Sequence, residues 1–254
     1  MSTALAAENR KLRATRSTGL AAMAVLALGA ALAVANVLLA GTGQNAPLDE
    51  DAFQHIVRAP TGVLGFAMLL LGVLTAAGEY RHGTIVTTLL AQPHRGRVAM
   101  AKLSAVGLAG ALLAVATAAV SAAVGLPLLA GQDAPAIDWG PVPTGLLVLV
   151  ATGVLYGAVG VGLGLLLRNQ AAALTLALLW WFVMERIVPV VLGEPQAIKW
   201  LPGGAATAFA GLGDGSGAGP DGLLPPWQGG LLLTAYAVAI AALAVVVLRR
   251  RDQT

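Results

Sequence analysis

TGLLVLVATGVLYGAVGVGLGLLL, residues 144–167, runs for 24 residues without one charged side chain. As an α-helix it reaches about 36 Å, more than the roughly 30 Å thickness of a bilayer's hydrocarbon core. In hydrocarbon each backbone N–H and C=O must be satisfied within the segment, so this stretch reads as a spanning helix. Working outward, five more apolar runs follow the same logic: 17–41, 61–77, 103–130, 171–192 and 230–248. The run at 171–192 is the least clean, because Glu185, Arg186 and Pro189 fall inside it. The expected fold class is therefore all-α and integral to a membrane, with six transmembrane helices forming a single domain over 1–254.

Composition supports this reading. Of 254 residues, 57% are hydrophobic and only 11% charged, whereas soluble domains carry about 25% charged residues. That excludes a soluble enzyme, a nucleic-acid-binding domain and a disordered chain. Zero cysteines exclude disulfides, thiolate catalysis and Cys-ligated metal centres, and three His argue against a His-rich metal site. The basic N-terminal stretch and an A-x-A at Ala33-Val34-Ala35 raise the alternative of a signal peptide. The apolar run continues past that site through Val37, Leu38 and Leu39, which favours a span.

Lys and Arg are distributed by side. With both termini cytoplasmic, Arg10, Lys11, Arg13, Arg16, Arg81, Arg95, Arg97, Lys102, Arg168, Arg249, Arg250 and Arg251 are inside, 12 of 15. Arg58, Arg186 and Lys199 lie elsewhere. The net charge of +3 then reflects sidedness and not a basic ligand. The Ala-, Gly- and Val-rich bias points to a GC-rich bacterial genome and an inner-membrane location.

Helices in lipid associate where small residues let backbones approach. Gly153, Gly157, Gly160 and Gly164 form such a stripe in the fourth run, and Gly107, Ala111, Ala114, Ala118, Ala122 and Gly125 in the third. Abundant Ala and Gly would also generate this spacing by composition alone. The N-terminal segment 1–16, with Leu5 and Leu12 a heptad apart among basic residues, reads either as a helix lying in the inner interface or as a solvated tail. Segment 193–229 is too apolar for a plain loop and too broken for two spans. It reads as a re-entrant or extracellular surface helical hairpin, flexible over 214–222.

The connection 78–102, GEYRHGTIVTTLLAQPHRGRVAMAK, carries the functional signal. Its middle, 84–91, reads as a short helix with Ile85, Val86, Leu89 and Leu90 apolar, opened by Gly83-Thr84 and closed by Pro93. Glu79 and Arg81 flank it on one side, and His94, Arg95 and Arg97 on the other. Glu79, Arg81, Gly83-Thr84, Leu89-Leu90, Pro93, Arg95 and Lys102 resemble the E-x-R-x-G-T, L-L, P-x-R, K pattern that follows the second span in the type-2 family of ABC transporter permeases. The motif covers about 25 residues, and the six-span topology extends the resemblance along the chain.

The resemblance implies a permease subunit that pairs with a second copy or a related chain and offers 78–102 as a coupling helix to a separate cytoplasmic ATPase, present in two copies. It implies that Ile85, Leu89 and Leu90 dock on that ATPase, and that Glu79 and Arg81 hold the junction. This chain itself lacks the Gly-Lys of a phosphate-binding loop, since its three lysines follow Arg10, Ala101 and Ile198. It would bind no cofactor, and ATP and Mg would belong to the partner. For Arg81, Arg95 and Arg97 the alternative is that they merely orient the chain.

Charges inside a span suggest a polar pathway or an internal pair. Glu185 and Arg186, with Trp180 and Trp181 before them, are therefore candidates for a gate or substrate path. Alternatively the fifth span ends or turns there, and the tryptophans are interfacial anchors. Three functions compete: an exporter permease, a non-transporting immunity or sensing subunit coupled to an ATPase, and an integral membrane enzyme. For the last the chain offers no H-E-x-x-H, no G-x-S-x-G and no aspartate pair within spans.

Overall fold

The structure is a computed structural model that describes the chain except residues 1, 15, 43–46, 85–87, 89, 91–93, 133, 212–222 and 251–254. The described residues are helical with no strand. In chain order the helices are α1 (Ser2–Ala14), α2 (Arg16–Leu38), α3 (Ala52–Arg58), α4 (Thr61–Arg81), α5 (Arg95–Ala130) and α6 (Val142–Leu167). They are followed by α7 (Gln170–Leu179), a π-turn at Trp180–Met184, α8 (Glu185–Leu192), a 3₁₀ turn at Pro195–Trp200, α9 (Pro202–Ala210) and α10 (Pro226–Arg250). Six segments are long and apolar enough to cross a membrane: Thr18–Leu38, Ala52–Arg81, Gly96–Ala130, Val142–Leu167, Gln170–Leu192 and Pro226–Leu248. The chain has the architecture of a multi-pass membrane protein.

Between α6 and α7 the chain reverses in two residues. Arg168 takes a left-handed conformation at φ 52°, and Asn169 caps α7 by accepting from the Ala172 N–H at 3.2 Å. The segment between α2 and α4 contains α3, which buries Phe53, Ile56 and Val57. Phe53 stacks on Trp139 with ring centroids 5.2 Å apart. Helix α4 continues four residues past the expected end of the second span, and α5 starts eight residues before the expected start of the third. The connection between them, 82–94, is correspondingly shorter than 78–102. The reason is electrostatic: Glu79 and Lys102 neutralise one another, so neither charge terminates its helix.

The N-terminal segment is a helix packed against α5, with Leu12 buried, and not a solvated tail. The fifth span does not end at Glu185. It makes one wide turn, in which the Glu185 N–H bonds back to the Trp180 carbonyl, and then resumes as α8. Segment 193–229 supplies a 3₁₀ turn and α9, packed on the start of α10 so closely that a Cβ on Gly230 would stand 2.7 Å from the Phe209 ring. The expected flexible stretch 214–222 lies outside the described residues.

The centre of the bundle is the seam between α4 and α6. A Cβ on Gly160 would collide with the Leu69 carbonyl oxygen and stand 3.0 Å from Gly72 Cα, and one on Gly164 would stand 2.7 Å from Ala76 Cβ. The other two glycines of the stripe meet α5, with Gly153 facing Gly110 and Gly157 facing Val106. Only a residue without a side chain fits these contacts. Gly160→Leu is expected to lower stability in detergent by about 1–3 kcal/mol or more, read as a fall in unfolding temperature. Gly19→Leu, where nothing lies within 4 Å, is the matched control and should not lower that temperature.

Candidate functional site

Two polar clusters lie at opposite ends of this seam. At the end where α4 stops and α5 begins, four charges from three helices form a ring. Lys102, whose side chain has 0% exposure, donates to Glu8 at 3.0 Å and pairs with Glu79 at 2.7 Å. Lys11 pairs with the same two acids, with Glu8 at 2.8 Å and Glu79 at 2.7 Å. Two carboxylates and two ammonium groups sum to zero, which is the condition under which buried charge is tolerated. The Lys102 ammonium also reaches the Thr75 carbonyl at 3.4 Å.

Burial pulls the Lys11 ammonium down, but hydrogen bonds to Glu79 and Glu8 outweigh it and hold its pKa above the ordinary lysine value. A raised lysine pKa gives stability that is complete below the unfolded value and is lost as pH rises through the folded one. Lys11 therefore keeps its charge at neutral pH and loses it in strongly alkaline solution.

The ring anchors both flanks of the connection between α4 and α5. Glu79 sits in the last turns of α4 and is buried, while Arg81, two residues on, is exposed. Gly83 is left-handed at φ 68°, the Thr88 N–H bonds to the Thr84 carbonyl at 3.1 Å, and Thr88 and Leu90 are helical. Leu90 is 80% exposed. Lys11 comes within 3.5 Å of the Thr88 hydroxyl, so the ring touches the segment directly. Ile85, Leu89 and Pro93 lie outside the described residues, and Arg95 is described only as the first residue of α5. Beside the ring an apolar groove of about 660 Å³ runs between α2 and α4, walled by Val25, Leu28, Phe66 and Leu71.

At the opposite end, α9 closes a smaller cavity of about 230 Å³. Glu185 turns into it from just after the π-turn. One carboxylate oxygen of Glu185 accepts from the Gly203 N–H at 2.7 Å and from Trp180 Nε1 at 3.1 Å. A Cβ on Gly203 would collide with the other oxygen, so a side chain there would displace the Glu185 carboxylate from this cap. Tyr156, on α6, donates to the Pro202 carbonyl at 3.2 Å and meets Trp181 edge to face at 5.3 Å. Arg58 reaches the Ala210 carbonyl at the far end of α9. Of the four sequence candidates here, Glu185 and Trp181 line the cavity and Trp180 supports Glu185. Arg186 is exposed and takes no part.

Sequence reasoning missed the ring. Its signals were present: Glu8 is the one acid in residues 1–16, three residues before Lys11, a spacing that pairs side chains on a helix. Lys102 lies seven residues inside a helix rich in Ala and Val. Thr152, Tyr156 and Arg58 had no sequence signal beyond being polar within or beside a span. No family model matches the chain, and a comparison with curated proteins found no match either.

Removing Lys102 leaves two buried carboxylates facing Lys11 alone. Lys102→Met is expected to cost about 3–5 kcal/mol, and adding Glu79→Gln to it should restore part of the loss. Thermal unfolding of the single and double variants in detergent measures both. In the same assay Lys11→Met should make the fall in stability less steep as pH is raised above the ordinary lysine value of 10.5.

Proposed function

We propose that this chain is the permease subunit of an ABC exporter, coupling ATP hydrolysis by a separate cytoplasmic ATPase to export of a hydrophobic substrate across the bacterial inner membrane. The observation that carries the reading is the connection between α4 and α5. It is a short, apolar, partly helical segment with Leu90 exposed, held on both flanks by a neutralised ring of buried charge. A device that transmits force needs such a base: a docking element on a floppy loop would absorb the movement of its partner instead of passing it to the spans.

On this reading both termini are cytoplasmic, and two ATPase copies engage two permease subunits, either identical or related. Closure of the ATPases on ATP displaces the two connections, and the ring passes the displacement to α1, α4 and α5 together. The α4/α6 seam then carries it to the opposite end, where Glu185, Trp180 and Trp181 surround the α9 cap and act as the outer gate. The apolar groove between α2 and α4 is consistent with a hydrophobic substrate. Chemistry at the phosphates belongs to the partner, since this chain has no Gly-Lys loop.

Affinity purification from native membranes in mild detergent, followed by mass spectrometry, tests the assembly. A stoichiometric cytoplasmic protein with a phosphate-binding loop is expected with the parent chain. It should be lost in Leu90→Asp, which buries no charge in the fold because Leu90 is 80% exposed. Equal recovery of the ATPase with Leu90→Asp would contradict the assigned docking residue. Absence of any ATPase, in a detergent shown to preserve a known complex, would contradict the reading as a whole.

A further inference from the structure

The cavity beneath α9 contains a hydroxyl that the fold does not use. Thr152 is 1% exposed, yet its Oγ1 makes no hydrogen bond. Other threonines in the apolar helices behave differently: Thr75, Thr117, Thr207 and Thr234 each bond back to a carbonyl three or four residues earlier. Thr152 does not, and its methyl packs towards Gly65, where a Cβ would stand 3.3 Å away. A buried hydroxyl without a partner costs stability unless something else fills the role. Thr152 lines the cavity, and the partner it lacks belongs there.

The other polar groups on the cavity point to the same ligand chemistry. Both donors that Glu185 receives converge on a single oxygen, and the second lies against Gly203, whose missing side chain leaves room for it. The Tyr156 O–H donates to Pro202, so towards the cavity its oxygen can only accept. Glu185, Tyr156 and Thr152 thus bring a carboxylate and two hydroxyl groups to the lining of a space whose wall includes the rings of Tyr156 and Trp181. A carboxylate with aromatic rings beside it is how proteins recognise organic ammonium groups. Arg58 is held on the Ala210 carbonyl, and neither it nor Lys199, which precedes α9, lines the space. The volume, about 230 Å³, lies below the roughly 300–1,000 Å³ of drug-sized sites and suits a small amine or an ammonium headgroup.

We propose that this cavity is a binding site for an organic ammonium group, with Glu185 as its counter-ion, Thr152 and Tyr156 as its neutral acceptors, and Trp181 as its aromatic wall. The site is built by this chain alone and needs no ATPase, so its failure would leave the transport reading standing, and the reverse holds as well.

The test is calorimetric titration of the full chain in lipid nanodiscs with 2-phenylethylammonium, and with phenylacetate as the anion of similar shape. Saturable binding of the ammonium probe only is expected. Glu185→Gln, which keeps an acceptor for Gly203 and Trp180, should weaken it about 10-fold or more. Thr152→Val should also weaken binding while raising the unfolding temperature of the unliganded chain, because it removes an unpaired buried hydroxyl. A misfolded variant would lower both, so the opposite signs separate a ligand site from a structural one. Repeating the titration with phosphatidylethanolamine in the disc distinguishes the natural source: competition identifies a lipid headgroup, and unchanged binding a free amine. Absence of saturable binding, equal binding of phenylacetate, or full affinity in Glu185→Gln would overturn the proposal.

Discussion

The backbone contact between α4 and α6 sets the positions of everything else in this bundle. Lipid supplies no hydrophobic force between helices, so association depends on close van der Waals approach. Gly72, Gly160 and Gly164 supply it along one half of the seam, and Gly65 accommodates Tyr156 and Thr152 along the other. A side chain at Gly160 would drive the two axes apart and displace both polar clusters at once. The charge ring and the capped cavity are therefore two ends of one rigid pair of helices.

This geometry reconciles two requirements that conflict in a membrane. Polar groups are expensive at depth, yet a functional membrane protein must place some there. At one end the cost is cancelled internally, since Glu8, Lys11, Glu79 and Lys102 neutralise one another. At the other it is only partly cancelled. Glu185 is held by Gly203 and Trp180, while Thr152 has no partner. The neutralised cluster ties three helices together, and the one beneath α9 borders a cavity.

Much of the fold was legible because spanning helices follow from length and apolarity alone, and all six runs recur as helices. The boundaries were less legible, since charge usually marks the end of a span. Glu79 and Lys102 broke that rule by pairing across 23 residues of sequence, and so moved the ends of α4 and α5. The π-turn at Trp180–Met184 was invisible, because one extra residue in a helical turn leaves no compositional trace. Glu185 was legible as a charge within an apolar run, but its partner, the Gly203 N–H, is a backbone group that sequence does not advertise. The ring stayed hidden because its members come from three separate segments and each has an ordinary explanation taken singly.

The central claim is that the connection between α4 and α5 is the contact surface for an ATPase. The chain contains no cysteine, so Leu90→Cys introduces a unique reactive thiol at an exposed position, and Trp139→Cys does the same at the opposite end of the bundle. Treating native membranes from each strain with a short thiol-to-amine cross-linker, then sequencing the adducts, tests the claim directly. The account predicts an adduct between position 90 and a protein carrying a Gly-Lys phosphate-binding loop, and none from position 139. An ATPase adduct absent from position 90, or formed equally from both positions, would contradict it.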